Sequence, residues 1–290
     1  MRYTQEFCQA VWEEKYSHLS KETRLENNQK WLRYWDYLAQ KNEDSIGSAS
    51  EFPAQIISYL KQEQIIAQES TILDIGSGSG SFVLPLARNC AQVMALDMST
   101  ESIRLLEKQA LAENLPIATV NTMWENFSAD MRFDIVFSSM CPAISDPASL
   151  AKMESYSNKN CVLLTVGQGS SSLIRKTIRT RLTQEPLTGL SPDVIYIFNY
   201  LYAQGNNPNL KFYPRTSRPK MTLEEAYEMY LVYFSIFGYI DKPAKNTIYQ
   251  TLEEFTKDGF CTDCVTINSA LMYWDIQNGY SKRNDELCAQ

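Results

Sequence analysis

The residues of this chain that are best suited to chemistry form a glycine-rich segment directly after a short apolar run. The segment contains Asp74, Gly76, Ser77, Gly78 and Gly80, so glycine occupies three alternate positions. Glycine allows a tight bend and lets another group approach the backbone closely. Apolar residues then resume at helical spacing, which predicts a helix start whose free N–H groups favour a carboxylate or phosphate. We therefore expect a nucleotide cofactor to lie against bare main-chain amides in this bend.

The spacing of the glycines separates two classes of nucleotide site. A dinucleotide fingerprint needs Gly-x-Gly-x-x-Gly, and its third glycine is absent whether the count starts at Gly76 or at Gly78. The observed pattern has an acid two residues before the first glycine and then glycine at every second position. In this form the segment resembles the first motif of the class I S-adenosylmethionine-dependent methyltransferases. The resemblance implies S-adenosylmethionine as the methyl donor and S-adenosylhomocysteine as the product.

A second acid closes the next apolar run, which predicts a strand that ends at Asp97. In a βαβ unit this strand end lies beside the glycine loop, where a carboxylate can accept both hydroxyls of a ribose. Asp97 is therefore the candidate ribose ligand, and Met98 is the candidate to lie on the adenine. The alternative for Asp97 is a strand-terminal acid that only stabilises its own turn.

The resemblance places two further segments near the cofactor. Family members commonly place the adenine beside the turn after the third strand, which corresponds here to Met123, Trp124 and Glu125; these residues are alternatively loop anchors. At the end of the fourth strand, the backbone of Ser139 is the expected contact. The exit that follows, from Cys141 on, lacks the Asn/Asp-Pro-Pro-aromatic pattern of amine-methylating members, which argues against a base or amide nitrogen as acceptor. Cys141 either touches the substrate or fills space.

The order of the predicted elements indicates the fold class. The resemblance implies an α/β fold with a Rossmann-like, doubly wound sheet of seven strands, the last of them antiparallel. Residues 1–65 precede the first strand and are predicted to form an N-terminal helical cap. Residues 66–290 are predicted to be the methyltransferase domain, with helical insertions over 173–260 that cover the substrate crevice. The resemblance is specific over about residues 69–166 and only topological beyond them.

Three helical segments leave alternatives open. The stretch 31–39 resembles a Trp-Asp-x-Arg-Ala segment that folds over the cofactor in family members, with Leu38 at the arginine position; Tyr34 or Trp35 forms a lid, or the stretch is plain helix packing. A basic helix is either a solvated face or a steering surface for an anionic substrate: Arg175, Lys176, Arg179 and Arg181. A later aromatic stripe predicts core or a homodimer surface rather than a pocket wall: Tyr230, Tyr233, Phe234 and Phe237.

The composition limits the partners and the compartment. With 290 residues and 44% hydrophobic content, the chain can bury a full core. The net charge is -7 and no cluster of Lys and Arg is long enough to follow a phosphate backbone, which argues against nucleic acid as substrate. The sequence has no apolar run of membrane-spanning length and no apolar signal core, so we expect a cytoplasmic protein without a membrane segment. Seven irregularly spaced cysteines indicate reduced thiols.

The residue types also limit the mechanism. The single histidine, His18, lies far from the motif strands, which leaves little support for a Ser-His-Asp or Cys-His mechanism. Cys261 and Cys264 form one Cys-x-x-Cys pair without a second, and we expect no metal site from them with Cys288 or His18. Methyl transfer needs neither, because a sulfonium already carries an activated methyl. The protein has to align the acceptor, exclude water and take a proton onto a tyrosine or a carboxylate, and the sequence does not identify that group.

We therefore predict S-adenosylmethionine-dependent methyl transfer to a small molecule of unknown identity. Three alternatives remain open at this point. They are a methyltransferase-like module that binds the cofactor without turnover, a nicotinamide-dependent reductase and a protein methyltransferase.

Overall fold

A computed structural model describes residues 4–16, 21–41, 51–183 and 194–276. The possible metal ligands His18 and Cys288 lie outside these residues. The helices are α1 (Gln5–Tyr16), α2 (Lys21–Lys41), α3 (Glu51–Gln62), α4 (Val83–Ala87), α5 (Thr100–Ala112), α6 (Pro147–Ser155), α7 (Leu173–Thr183), α8 (Val194–Ala203), α9 (Leu223–Ser235) and α10 (Lys242–Glu254). The strands are β1 (Thr71–Ile75), β2 (Gln92–Asp97), β3 (Ile117–Asn121), β4 (Phe133–Ser139), β5 (Ser157–Val166), β6 (Ser171–Ser172), β7 (Asn209–Ser217), β8 (Lys220–Thr222), β9 (Thr256–Lys257), β10 (Phe260–Thr262) and β11 (Val265–Asp275).

Seven strands form the body of the main sheet, in the order β3-β2-β1-β4-β5-β11-β7. The first five are parallel, and β11 runs antiparallel to both β5 and β7. The two-residue β6 also pairs with β11 and makes an eighth member. The prediction of a doubly wound seven-stranded sheet with an antiparallel last strand is confirmed, with β6 as an addition. The strand order reverses between β1 and β4, where such sheets leave a crevice for ligands.

The central strands are apolar on both faces because helices cover both faces. Successive side chains of a strand point to opposite sides, so Ile72 lies in one core layer and Leu73 in the other. Helices α3, α4 and α5 contribute to the Ile72 layer, and α1, α6 and α8 contribute to the Leu73 layer. The carboxyl ends of the parallel strands lie together at one edge of the sheet.

The helices that the structure describes within residues 1–65 contact different parts of the protein. Helix α1 buries Trp12 against Tyr200 of α8, with ring centroids 5.6 Å apart. Helix α3 buries Ile56 and Leu60 in the layer on the other side of the sheet. Helix α2 instead contacts α5 and α9. The apolar pattern of each helix could be read from the sequence, but the layer that each pattern covers depends on residues far along the chain.

The C-terminal half of the chain contributes a third apolar cluster. It joins α7, α9 and α10 with Tyr34 of α2, and the small antiparallel sheet β8-β10-β9 borders it. Within the predicted insertion range, α8 and β7 belong instead to the main sheet and its covering layer. The insertion proper therefore lies before α8 and between β7 and β11. Within the described ranges, no helix combines the length and apolarity needed to cross a bilayer.

The aromatic stripe of α9 is buried inside this third cluster. Tyr230 and Tyr233 are each 2% exposed, Phe234 is fully buried, and Phe237 packs against the same cluster. The burial of these rings within the chain supports the alternative that the stripe is core. A homodimer through this helix stays a prediction.

Candidate functional site

The backbone conformation of the glycine loop after β1, and the atoms packed against it, require glycine at two positions. Gly76, Gly78 and Gly80 have φ values of +73°, +54° and +97°, which side-chain-bearing residues rarely adopt. A Cβ on Gly76 would lie 2.2 Å from the Cys141 Sγ, and one on Gly80 would lie 2.5 Å from the Leu106 Cδ1. Gly78 has nothing within 4 Å of the same position, so the open side of the loop is there.

The main-chain amides of this loop are used inside the protein. The N–H groups of Gly76 and Ser77 donate to the Leu96 carbonyl at 2.8 and 3.0 Å, and the Gly78 N–H donates to the Asp97 carboxylate at 2.8 Å. The expectation of bare amides is therefore wrong for these three residues. The reason is that the end of β2 supplies the acceptors. The loop is joined to β2, which fixes both sides of the site relative to one another.

Asp97 lies where the sequence predicted it, beside the glycine loop. Its carboxylate accepts the N–H groups of Gly78 and Ser99, both at 2.8 Å. Burial raises its pKa and the nearby Asp36 carboxylate raises it further, while these two hydrogen bonds lower it. Each carboxylate oxygen keeps a further lone-pair direction. Asp97 can thus stabilise the loop and still accept ribose hydroxyls. The two roles proposed for it, stabilising the turn and binding the ribose, are therefore compatible.

Asp74 is the most unusual group of the site. Its side chain is 1% exposed, and its Oδ1 is buried with no hydrogen-bond partner in the structure. Burial, and then the charge of Asp97, raise its pKa to about 8. The hydroxyl oxygen of Ser77 is also buried without a partner. Two polar atoms in one short segment therefore lack the donor or acceptor that buried groups normally have.

Asp74 is expected to make the ligand-free protein less stable as the pH rises. Between its unfolded pKa near 3.8 and its folded pKa of about 8, the folded state binds one more proton than the unfolded state. Its stabilising contribution is complete below the lower value and is lost as the pH rises to the upper one, with a slope of at most about 1.4 kcal/mol per pH unit. Denaturant unfolding at a series of pH values measures this slope. Asp74→Asn should reduce it, and identical slopes in the two proteins would contradict the assignment.

The charged groups that act on one another at this site are carboxylates. Asp97 raises the pKa of Asp74, and Asp36 raises that of Asp97. The Cys141 thiol faces Gly76, and burial together with Asp97, Asp74 and Glu125 raises its pKa to about 12. A neutral thiol is therefore the stable form of Cys141. The arrangement favours a ligand that brings positive charge.

The residues that were predicted to lie near the adenine differ in how far they are buried. Met98 and Met123 are half-buried at the ends of β2 and β3, and the Met123 sulfur lies 4.0 Å from the Asn28 amide nitrogen. Glu125 is exposed, so its contact with a cofactor stays a prediction. Ser139 is half-buried at the end of β4, and its backbone contact likewise stays a prediction.

Trp124 is a structural anchor. Its side chain is 2% exposed and stacks on Phe127 with ring centroids 5.7 Å apart. Its indole N–H donates to the Ser149 carbonyl at 3.3 Å, and the Lys152 ammonium lies 4.6 Å from its ring. The buried ring follows the alternative that Trp124 anchors the loop, and a contact between this residue and the cofactor stays a prediction.

Helix α2 borders the site through a residue that the sequence reasoning missed. The Ser99 hydroxyl, two residues after Asp97, donates to the Asp36 carboxylate at 2.5 Å. Tyr34 is 3% exposed and packs with the third cluster, so this ring follows the helix-packing alternative. Trp35 is half-buried and stacks on Trp31. The Trp-Asp pair in the sequence was the signal that could have identified Asp36.

The cysteine pair Cys261 and Cys264 has no visible metal chemistry. Cys261 is 2% exposed in β10. Among the residues that the structure describes, no three His, Cys, Asp or Glu side chains lie close enough to hold an ion.

The fold and the site together define a class of protein. A parallel sheet with its switch point between β1 and β4, an acid before a glycine loop and an acid closing β2 form a nucleoside-binding α/β domain. Residues 72–157 match the family model described as "Methyltransferase domain". This part of the chain is therefore similar to methyltransferase domains.

Curated relatives share modest identity with this chain. An uncharacterized protein of Haemophilus influenzae is 27% identical over 182 residues, which cover 61% of this chain and 65% of that protein. A ubiquinone biosynthesis O-methyltransferase of Serratia proteamaculans is 29% identical over 99 residues, which cover 33% of this chain and 41% of that enzyme. The chain thus spans less than two thirds of the length of these relatives.

Solved structures of other proteins are also similar to this chain at low sequence identity. The YcgJ protein from Bacillus subtilis is 11% identical, with a TM-score of 0.48, over 77% of this chain and 98% of that one. Magnesium protoporphyrin IX methyltransferase from Synechocystis, with bound S-adenosylhomocysteine, is 12% identical, with a TM-score of 0.44, over 75% of this chain and 81% of that one. The fold assignment rests on the strand order rather than on these similarities.

Proposed function

We propose that this protein transfers the methyl group of S-adenosylmethionine to a small molecule. The observation that carries the proposal is the buried Asp74 Oδ1, which has no hydrogen-bond partner and lies in a site whose charged groups are carboxylates. A buried acceptor without a donor costs about 1–3 kcal/mol, and more when it is charged. An ammonium group would supply the missing donor and would lower the pKa of Asp74.

The residues present fit the three parts of this donor. Asp74 and Ser77 would hold the amino-acid end, because their unpartnered oxygens belong to the end of β1 and to the loop directly after it. Asp97 would accept the ribose hydroxyls, and Met98 and Met123 would border the adenine. When bound, the donor supplies a methyl group on a positively charged sulfonium. The chain then has to hold the acceptor in line with that methyl and keep water out.

The acidic character of the site argues against a nicotinamide dinucleotide. Its pyrophosphate carries two negative charges and would lie on the glycine loop, close to Asp74 and Asp97. The loop also lacks the third glycine of the dinucleotide fingerprint. A positively charged donor faces no such repulsion, so the electrostatics support the methyltransferase alternative.

The helices that pack around α2 favour a small acceptor. Tyr34 of α2 packs with α7 and α9 in the third cluster, and the same helix contacts Ser99 beside Asp97 through Asp36. We propose that residues 66–290 form the catalytic domain and that α2, rather than the whole segment 1–65, is the part that borders the cofactor. The free thiols in the described region support a reducing, cytoplasmic location.

A binding and labelling experiment tests this function. S-adenosylhomocysteine should quench the tryptophan fluorescence of the protein or give a calorimetric isotherm, whereas NADH should give neither. With methyl-labelled S-adenosylmethionine and a cell extract, label should appear in the small-molecule fraction. Label in the protein or nucleic-acid fraction would contradict the small acceptor. Binding of NADH without S-adenosylhomocysteine would contradict the function itself, and cofactor binding with no labelled product would favour the non-catalytic module.

A further inference from the structure

A group of arginine and aromatic side chains lies between α2, α7 and α9, away from the glycine loop. We call it the arginine cluster, and its members are Trp31, Tyr34, Arg175, Arg179, Tyr233 and Phe237. The Arg175 Cζ lies 4.3 Å from the centroid of the Tyr233 ring, and the Arg179 Cζ lies 5.4 Å from that of Phe237. The arginines are one turn apart on α7, while Tyr233 lies near the end of α9 and Phe237 lies in the turn that follows it. Two guanidinium groups therefore face one aromatic wall.

Neither guanidinium has a carboxylate partner among the residues that the structure describes. Arg175 donates one side-chain hydrogen bond, to the Tyr34 hydroxyl at 3.0 Å. The Nε of Arg179 is buried and has no acceptor in the described part of the chain. The carboxylate that acts on Arg175 from nearby is Asp263, which already accepts a hydrogen bond from Tyr230 at 3.2 Å. One buried guanidinium donor, the Arg179 Nε, thus lacks an acceptor in the described part of the chain, and Arg175 has a tyrosine hydroxyl rather than a carboxylate as its acceptor.

A third arginine of the same helix shows the contrast. Arg181 forms a bidentate pair with Glu254, with N–O distances of 2.7 and 2.8 Å, at an exposed position. The prediction of a solvated basic face therefore holds for Arg181 and is wrong for Arg175 and Arg179, which are half-buried. On helix α7, the exposed arginine is thus paired with a carboxylate, whereas the two half-buried arginines are not paired with one among the described residues.

An uncompensated pair of half-buried cations indicates a missing anion. Taking a charge out of water without a partner is costly. Stacking on aromatic rings contributes about 0.5 to 2 kcal/mol, but it leaves the in-plane N–H donors unsatisfied. The planar guanidinium matches a carboxylate or phosphate with two parallel hydrogen bonds. An oxyanion is the ligand chemistry that satisfies these donors.

The position of the cluster connects it to the crevice. Helix α7 starts directly after β6, at the carboxyl-end side of β5, where ligands of such sheets lie. Helix α2 joins the two sites, because its Asp36 accepts from Ser99 beside Asp97 while its Tyr34 accepts from Arg175. A ligand anchored at the cluster would therefore lie along the same helix that borders the cofactor.

We propose that Arg175 and Arg179 bind an oxyanion group, a carboxylate or a phosphate, on the methyl acceptor. Trp31 and Phe237 border the apolar part of that acceptor. The proposal rests on the proposed methyl transfer and specifies its substrate class. The sequence left open whether the basic helix attracts an anionic substrate. The proposal assigns that binding to two residues, Arg175 and Arg179.

Calorimetry with two probes, sodium benzoate and inorganic phosphate, tests the site with and without S-adenosylhomocysteine. The wild-type protein should bind at least one probe, and the stronger probe identifies the oxyanion as carboxylate or phosphate. Arg179→Gln should weaken that binding by about tenfold or more, since it removes a charge-assisted bidentate contact. Arg179→Lys keeps the positive charge but loses the forked guanidinium, so its affinity for the probe should lie between that of the wild type and that of Arg179→Gln. The matched control is Arg181→Gln on the same helix, which should bind the probe as the wild type does.

The outcomes separate this proposal from the function on which it rests. All variants should keep circular dichroism spectra and S-adenosylhomocysteine affinities like those of the wild type. Failure of the wild type to bind either probe, or an equal loss in Arg181→Gln and Arg179→Gln, would overturn the site. The same holds if the labelled small-molecule product passes through an anion-exchange column unretained. Absence of S-adenosylhomocysteine binding would instead overturn the proposed function, whatever the probes show.

Discussion

Replacement of Asp97 by alanine is expected to weaken S-adenosylhomocysteine binding by roughly 1.5 to 3 kcal/mol, which is about a 10- to 150-fold rise in Kd. The reason is that the carboxylate closing β2 is placed to accept both ribose hydroxyls next to the glycine loop. Isothermal titration calorimetry measures the change. An unchanged Kd would remove Asp97 from the ribose site.

A ligand-side control is needed because Asp97 also braces the protein. Its carboxylate accepts the N–H groups of Gly78 and Ser99, so the alanine variant loses support for the loop as well. The 2′-deoxy analogue of S-adenosylhomocysteine separates the two effects. Loss of this hydroxyl should weaken binding to the wild type and cause little further loss in Asp97→Ala. Fully additive losses would mean that Asp97 acts only through the loop.

Gly76→Ala is expected to destabilise the fold by about 2 to 5 kcal/mol, through a positive φ and an overpacked contact together. The added Cβ would lie 2.2 Å from the Cys141 Sγ and 2.6 Å from its Cβ. Relief of this clash would move the β4 exit away from the loop, so S-adenosylhomocysteine binding should be lost as well. Denaturant unfolding and calorimetry measure the two effects.

Two further variants separate strain from contact. Gly78 also has a positive φ but nothing within 4 Å of its added Cβ, so Gly78→Ala should cost only the strain, about 1–2 kcal/mol. Adding Cys141→Gly to Gly76→Ala removes both clashing atoms and should restore the part of the stability that the contact removed. Equal losses in Gly76→Ala and Gly78→Ala, with no recovery in the double variant, would show that Cys141 does not limit the loop.

The parts of the site that the sequence predicted depend on short-range patterns. Asp74 and the glycines follow an apolar run that is too short for a helix, and Asp97 closes the next one. Parallel neighbours in a βαβ unit end at the same edge, so the closeness of these residues follows from local order alone. This is why the glycine loop, the closeness of Asp97 to it and the doubly wound sheet could be predicted before any coordinates.

The parts that the sequence missed depend on partners far along the chain. Trp124 had the position of a cofactor contact, but α6 provides the carbonyl of Ser149 that holds its indole in the core. Arg175 had the pattern of a solvated cation, but Tyr34, 141 positions earlier, accepts its hydrogen bond. Hydrophobic periodicity shows that a face is buried and does not identify what buries it. Aromatic and basic residues on helices were therefore the least predictable.

The place of β11 has a consequence for synthesis on the ribosome. This strand comes after β5 and β7 in the chain, yet it lies between them and supplies the main-sheet pairing of β7. A nascent chain that stops before residue 265 can align β1 to β5 but leaves the edge of β5 without a neighbour and β7 with no place in the sheet. Such an open strand edge invites pairing with other chains. Completion of the sheet must therefore await emergence of its last strand.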